Sequence, residues 1–173
     1  RVQEELQVIS KTGYAQDFAI AGNIARFCKN MDIATGSGRG SSVSSLVAYG
    51  LGVHKVDPIE YNLLFERFLT VNTLSQPDFD FDIAASKKVL VENYLLAKYP
   101  NAAKLSVISE KEDGLDKPAT TTTIHPSGIG IVPEELQDQL SYSSITGKYW
   151  QSQSLLNIDH KVAEGLGVKK FDL

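Results

Sequence analysis

The chain has 173 residues, enough for one domain with a real core, or one domain with a small appendage. Its 17 basic and 21 acidic residues leave a net charge of −4, which excludes a free-standing nucleic-acid binder; work on nucleic acid would need phosphate-neutralising charge from elsewhere. No apolar run approaches the ~20 residues of a membrane span, and no secretory leader is visible.

Taken in order, Val2, Leu6 and Ile9 recur at helical spacing over residues 2–11, and Gly13 punctuates. Residues 14–30 continue with Phe18, Ala21, Ile24, Ala25 and Cys28 on one helical face. Cys28, the single cysteine, reads as a buried structural thiol in a reducing, cytoplasmic compartment. Met31 to Ala34 reads as a short strand, followed by the glycine-rich loop Thr35-Gly-Ser-Gly-Arg-Gly40. Ser41 to Tyr49 predicts a helix, with serine near its start and Gly50 and Gly52 near its end. Asp57-Pro58 opens a turn, and Tyr61 to Leu69 is apolar and compact.

Residues 77–83 predict a strand, and 86–99 a helix with Val89, Leu90, Tyr94 and Leu95 on one face. Leu105 to Ile108 is a short strand. Residues 110–123, rich in charge and threonine and containing Pro118, read as a loop or linker. Ile124 to Val132 is strand-like, 158–166 helical, and Val168 to Leu173 a final strand. Tyr149 and Trp150 read as core. Helices and strands alternate without internal repeats, which predicts an α/β or α+β sandwich. Arg1 and the closing Phe171-Asp172-Leu173 read as cuts through a larger protein.

The strongest chemical signal is Ser75-Gln-Pro-Asp-Phe-Asp-Phe-Asp-Ile83, where Asp78, Asp80 and Asp82 alternate with apolar residues. In a strand Asp78 and Asp80 share one face while Phe79 and Phe81 turn to the core. Carboxylates that close repel unless a positive charge lies between them. A divalent cation held by carboxylate oxygens is the usual remedy, and Mg²⁺ the usual ion where phosphate is the substrate. Taken alone, the triplet also fits a solvated edge or a turn that starts at Pro77.

The second signal is the loop Gly36-Ser-Gly38-Arg39-Gly40-Ser41-Ser42, set between a strand and a helix. Glycines let backbone approach an anion, and free N–H groups at a helix start point at it. Arg39 adds a fork suited to phosphate. The loop matches neither a P-loop nor a dinucleotide fingerprint, and a tight turn with a surface arginine is the alternative reading. Loop and carboxylates together suit one substrate, a metal-bound polyphosphate. Asp172, in the apolar run Val168-Lys-Lys-Phe-Asp-Leu173, would supply a third anionic ligand.

The ordered motifs Gly36-Ser-Gly-Arg-Gly-Ser-Ser42, Ser45-Leu-Val-Ala-Tyr49, Leu64-Phe-Glu-Arg-Phe-Leu69 and Pro77-Asp-Phe-Asp-Phe-Asp82 resemble the catalytic palm of bacterial C-family DNA polymerases, the DNA polymerase III alpha family. His125-Pro-Ser-Gly-Ile-Gly-Ile-Val-Pro133 resembles that family's His-X-Gly-Gly-type strand, and Lys170-Phe-Asp172 its Lys-Phe-Asp motif. The resemblance implies a nucleotidyltransferase-like (DNA polymerase beta-like) palm of α+β class, a mixed sheet with helices packed on it. It implies template-directed DNA synthesis from a dNTP onto a primer 3′-hydroxyl.

By the same resemblance Asp78, Asp80 and Asp172 are the catalytic, metal-binding carboxylates, with two Mg²⁺ ions for which Mn²⁺ can substitute. Gly38, Arg39, Gly40, Ser41 and Ser42 cradle the triphosphate, and Asp82 is supporting. The implied partners are primer-template DNA, dNTP, further domains of the polymerase and a sliding clamp, with no membrane. Arg67 either supports the site or sits in a buried ion pair. His125 holds a bend or contacts a phosphate; a metal role is disfavoured because His54 and His160 show no ligand spacing with it. Lys170 contacts DNA or phosphate, or offsets Asp172.

The family's long basic fingers segment has only residues 104–123 to correspond to it, so 1–173 reads as a palm fragment, inactive when isolated, with fingers shortened or missing, either by deletion or because two stretches are joined across a gap. A non-catalytic binding or scaffold domain and an untemplated nucleotidyltransferase are the competing readings.

Overall fold

The computed structural model describes residues 1–73, 75–111, 119–147 and 150–173. Tyr149, Pro118 and the side chain of Trp150 lie outside what is described. The fold is α+β, with helices and one five-stranded mixed sheet among the described residues. Two compact units make it up: Arg1–Glu92 with Phe171–Leu173, and Asn93–Lys170. No described helix is long and apolar enough to cross a membrane.

In the first unit α1 spans Val2–Thr12 and stops at Gly13, whose φ of 79° lies in the left-handed region. Its buried face matches the expected one only through Ile9. Val2 and Leu6 are exposed, while Glu5 and Ile9 are buried. α2, Ala15–Asn30, buries the predicted Phe18, Ala21, Ile24, Ala25 and Cys28.

The strand expected at 31–34 does not form. Met31 and Asp32 turn, and only Thr35 makes an antiparallel bridge, to Ile83. The helix expected at 41–49 is broken in two, a 3-10 turn over Ser41–Ser44 and then α3, Leu46–Gly50. Ser45 between them is extended, and its hydroxyl caps α3 by accepting from Ala48 N at 3.1 Å. A serine that bonds its own backbone competes with continuous helix.

Residues 77–83 form no continuous ladder. They carry two isolated bridges, Asp80 with Asp172 (parallel) and Ile83 with Thr35. α4 spans Ala85–Lys98. Its fully buried positions are Val91, Glu92 and Leu95, whereas the predicted Leu90 is 40% exposed.

In the second unit β1 (Ala102–Lys111) pairs antiparallel with β2 (Ala119–Ile131), from Ala102 opposite Ile131 to Lys111 opposite Ala119. Residues 110–111 and 119–123 are therefore strand, not loop. A run of β-branched threonines suits a half-exposed strand despite its polarity. β3 (Tyr142–Gly147) pairs antiparallel with β4 (Trp150–Asp159), and β4 lies parallel to β1. The sheet order is β3-β4-β1-β2-β5, with β5 at Lys169–Asp172, of which Lys169 and Lys170 belong to this unit. α5, His160–Gly165, starts two residues later than predicted because Ile158 and Asp159 end β4. The core here is Ala103, Leu105, Val132, Leu156, Ala163 and Val168.

Candidate active site

The carboxylates meet because the phenylalanines beside them do. Phe79 has no exposed surface and takes edge contacts from Phe18 (5.1 Å between centroids) and Phe68 (5.3 Å). Its other contact is a stack on Phe171, at 6.3 Å and 20°. Burying these rings turns the next residues, Asp80 and Asp172, outward on neighbouring segments. The backbone follows suit: Phe81 N donates to Asp172 O at 2.9 Å. One oxygen from each of Asp78, Asp80 and Asp172 then falls within 4.8 Å of the others. Asp78 is exposed, and Asp80 and Asp172 are half-buried. Three clustered carboxylate oxygens are the donor set of a hard divalent cation.

The glycine loop is built against this cluster. Gly36 N donates to Asp82 O at 2.9 Å, beside the Thr35–Ile83 bridge. At Gly40 φ is 71°, and a Cβ there would lie 2.6 Å from Asp80 Oδ2. Only glycine allows both that conformation and that approach. Arg39 reaches over the carboxylates, with Nη2 3.2 Å from Asp80 Oδ1 and Nε 3.2 Å from Asp82 Oδ1. Asp82 is thus joined to the site through Arg39. Ser41 is exposed, whereas Ser42 is buried and its hydroxyl donates to Arg39 O at 3.4 Å. The two serines differ: one faces outward, the other closes the turn. An open cavity of about 470 Å³ lies alongside, lined by Gly36, Arg39, Asp82 and Leu173 among others.

Arg67 ends a 3-10 turn and is exposed, so the buried-ion-pair reading does not hold. In the second unit, His125 Nδ1 accepts from Gly128 N (2.7 Å) and Ser127 N (3.3 Å), which holds the Pro126-Ser127-Gly128 bend. Sequence spacing hid a neighbour of His125: its ring centroid is 4.9 Å from that of His160. Beside that pair, Asp159 accepts from Ile108 N, which, with a second bond from Lys161 N, holds its carboxyl below the usual range. Lys170 pairs with Glu164 at 3.2 Å.

Two buried residues under the loop gave little sequence signal, Glu5 and His54. Glu5 had one hint, its position four residues before the buried Ile9. His54 had none. Burial pushes the His54 imidazole below its ordinary pKa, against the opposing bond to Ser45 O (3.1 Å).

A family profile described as the bacterial DNA polymerase III alpha NTPase domain matches residues 1–113. DNA polymerase III subunit alpha of Mycoplasma genitalium is 41% identical over 99 residues, 57% of this chain and 11% of that protein. The subunit of the same name from Vibrio cholerae is 41% identical over 109 residues, 63% of this chain and 9% of that protein. That of Deinococcus radiodurans is 41% identical over 99 residues, 57% of this chain and 7% of that protein. The matched stretch is thus about a tenth of each relative. The profile match contains Asp78, Asp80 and the glycine loop; Asp172 lies beyond it and comes to the site by geometry. The chain belongs to the bacterial DNA polymerase III alpha NTPase domain family.

Proposed function

We propose that this chain is the palm of a template-directed DNA polymerase, a nucleotidyltransferase-like fold that adds dNTP to a primer 3′-hydroxyl. The observation that carries the reading is the approach of Asp78, Asp80 and Asp172 to within 4.8 Å, with Gly40 against Asp80. Family membership supports it, since the relatives are named as polymerase subunits.

The donor set fits divalent metal. Asp78, Asp80 and Asp172 would hold two Mg²⁺ ions, with Mn²⁺ as a substitute, because clustered carboxylate oxygens suit hard cations. When bound, such ions activate the attacking hydroxyl and stabilise the leaving pyrophosphate in an in-line displacement. The chain's own residues do the rest. The Arg39 guanidinium would pair with triphosphate oxygens, for which its fork geometry is suited. Gly40 brings bare backbone to the phosphates, and the outward Ser41 hydroxyl can donate to them. Ser42 holds the turn that presents both. Asp82 competes for Arg39 and sets where it rests. The aromatic cluster keeps the carboxylate segments in place as charge changes above them.

In this reading residues 1–173 are a palm fragment, and the β1–β2 pair stands where the resemblance places a fingers segment. Primer-template DNA, other polymerase domains and a sliding clamp would be its partners, in the cytoplasm. With a net charge of −4, DNA grip must come from those other domains.

The test is primer extension by a full-length polymerase carrying this segment, with Asp80→Asn and Asp172→Asn variants. Each should lose on the order of 10³-fold or more in kcat while melting like the parent. Full activity in either variant would refute the reading. Incorporation that ignores the template would favour an untemplated nucleotidyltransferase, and inactivity of the parent itself a scaffold role.

A further inference from the structure

We propose that Glu5 is a positioning residue for the turn that meets the triphosphate. The inference rests on the reading of Arg39–Ser42 as nucleotide contacts. Glu5 is 1% exposed, and four donors from two directions converge on its carboxylate. Arg1 Nε (2.6 Å) and Leu46 N (3.0 Å) donate to Oε1. Ser45 Oγ (2.8 Å) and Val47 N (3.0 Å) donate to Oε2. Leu46 and Val47 are the first residues of α3, whose amides have no partner within the helix. A carboxylate from α1, 40 residues earlier in the chain than Ser45, therefore completes the cap that Ser45 begins.

The contacts extend to both ends of the loop. Arg1 Nη2 also donates to Ser44 O at 2.7 Å, tying the last residue of the 3-10 turn to the same ion pair. His54, 3% exposed, bonds Ser45 O through Nε2, and its Cβ closes to 2.6 Å from where a Gly38 Cβ would stand. Lys55 N donates to Ser37 O at 2.8 Å. Residues 37–38 and 44–45 are thus fixed from beneath, and the exposed Arg39, Gly40 and Ser41 are presented between them.

The choice of residue favours geometry over stability. A buried charge is a weak source of stability, because desolvation offsets what its partners return. On the same helix Val2 and Leu6 are left exposed while Glu5 is buried. An apolar residue at position 5 would pack, but it would leave two α3 amides and the Ser45 hydroxyl without an acceptor and the turn free to shift.

The experiment is steady-state primer extension by the full-length polymerase carrying Glu5→Gln, with Ser45→Ala as the milder variant and Asp80→Asn as control. Glu5→Gln keeps the shape but sets an amide group against donors. It should raise the dNTP KM about tenfold, as expected for losing a charged acceptor, with kcat and DNA affinity nearly unchanged. Ser45→Ala should move the dNTP KM the same way by less, and amide exchange at Leu46 and Val47 should quicken in Glu5→Gln. An unchanged dNTP KM in both variants overturns the inference. So does a loss shared equally by dNTP KM, kcat, DNA affinity and melting temperature. If Asp80→Asn abolishes extension while both variants behave as the parent, the polymerase reading stands and only the role of Glu5 falls. Full activity of Asp80→Asn overturns both.

Discussion

Phe79 and Phe171 stack with ring planes 20° apart and centroids 6.3 Å apart, and the residue after each, Asp80 and Asp172, pairs across a parallel bridge. The two segments lie 92 residues apart in the chain, yet they agree in register at these two positions, aromatic on aromatic and carboxylate beside carboxylate. Apolar burial supplies the force that brings the carboxylates together against their own repulsion. The site is charged on one face because it is apolar on the other.

Truncating the shared anchor should therefore cost more than one contact. Phe79→Ala removes a fully buried ring that touches Phe18, Phe68 and Phe171. It should destabilise the fold by about 3–5 kcal/mol in urea melts, as for other buried phenylalanine truncations. A cost below about 1 kcal/mol would show that the cluster does not hold the site together.

Gly40→Ala should separate site geometry from stability. A side chain at φ of 71° and ψ of −164° costs about 1–3 kcal/mol, and the new Cβ would press on Asp80 Oδ2. Primer extension should fall by roughly 100-fold or more, the scale of a misplaced catalytic group, with only that small loss of stability. Gly50→Ala is the contrast, since a Cβ there meets nothing within 4 Å and φ is not positive, and it should leave extension unchanged.

His54 predicts a pH dependence. Its imidazole is held below its ordinary pKa chiefly by burial, so the unfolded chain binds a proton that the folded chain resists. The neutral form's advantage is fully present above the unfolded pKa of about 6.5 and is lost as pH falls below it. Melting temperature should therefore drop as pH is lowered from about 6.5, and His54→Asn should flatten that segment of the curve. An identical curve in the variant would remove His54 as its cause.

Cys28 is 1% exposed, and burial raises its thiol pKa. An aromatic disulfide reagent should label it slowly in the folded chain and at once in denaturant. Rapid labelling under native conditions would contradict its place in the core.

The sequence made the carboxylate triplet, the glycine loop and the α2 face legible, because each rests on local spacing. Other features were hidden for physical reasons. α1 was read by its apolar residues, yet it buries Glu5, and only the amides of a segment 40 residues away explain why. The helix at 41–49 looked continuous, since the capping role of Ser45 depends on tertiary partners. β3 and β4 carry serine and glutamine where strand alternation would show. Ser143 and Ser144 are exposed, and even the buried Gln153 is polar, bonded to Asn93 at 2.8 Å. Residues 77–83 were expected as a strand and make only isolated bridges. Their alternation survives because Phe79 and Phe81 are buried, not because a ladder holds them.

The most direct measurement is an anomalous-scattering map of crystals soaked with Mn²⁺ and a deoxynucleoside triphosphate. Metal peaks among Asp78, Asp80 and Asp172, with the triphosphate along Arg39, Gly40 and Ser41, are the expected result. Triphosphate and metal bound elsewhere in the chain, or the three aspartates dispersed in an intact fold, would contradict it.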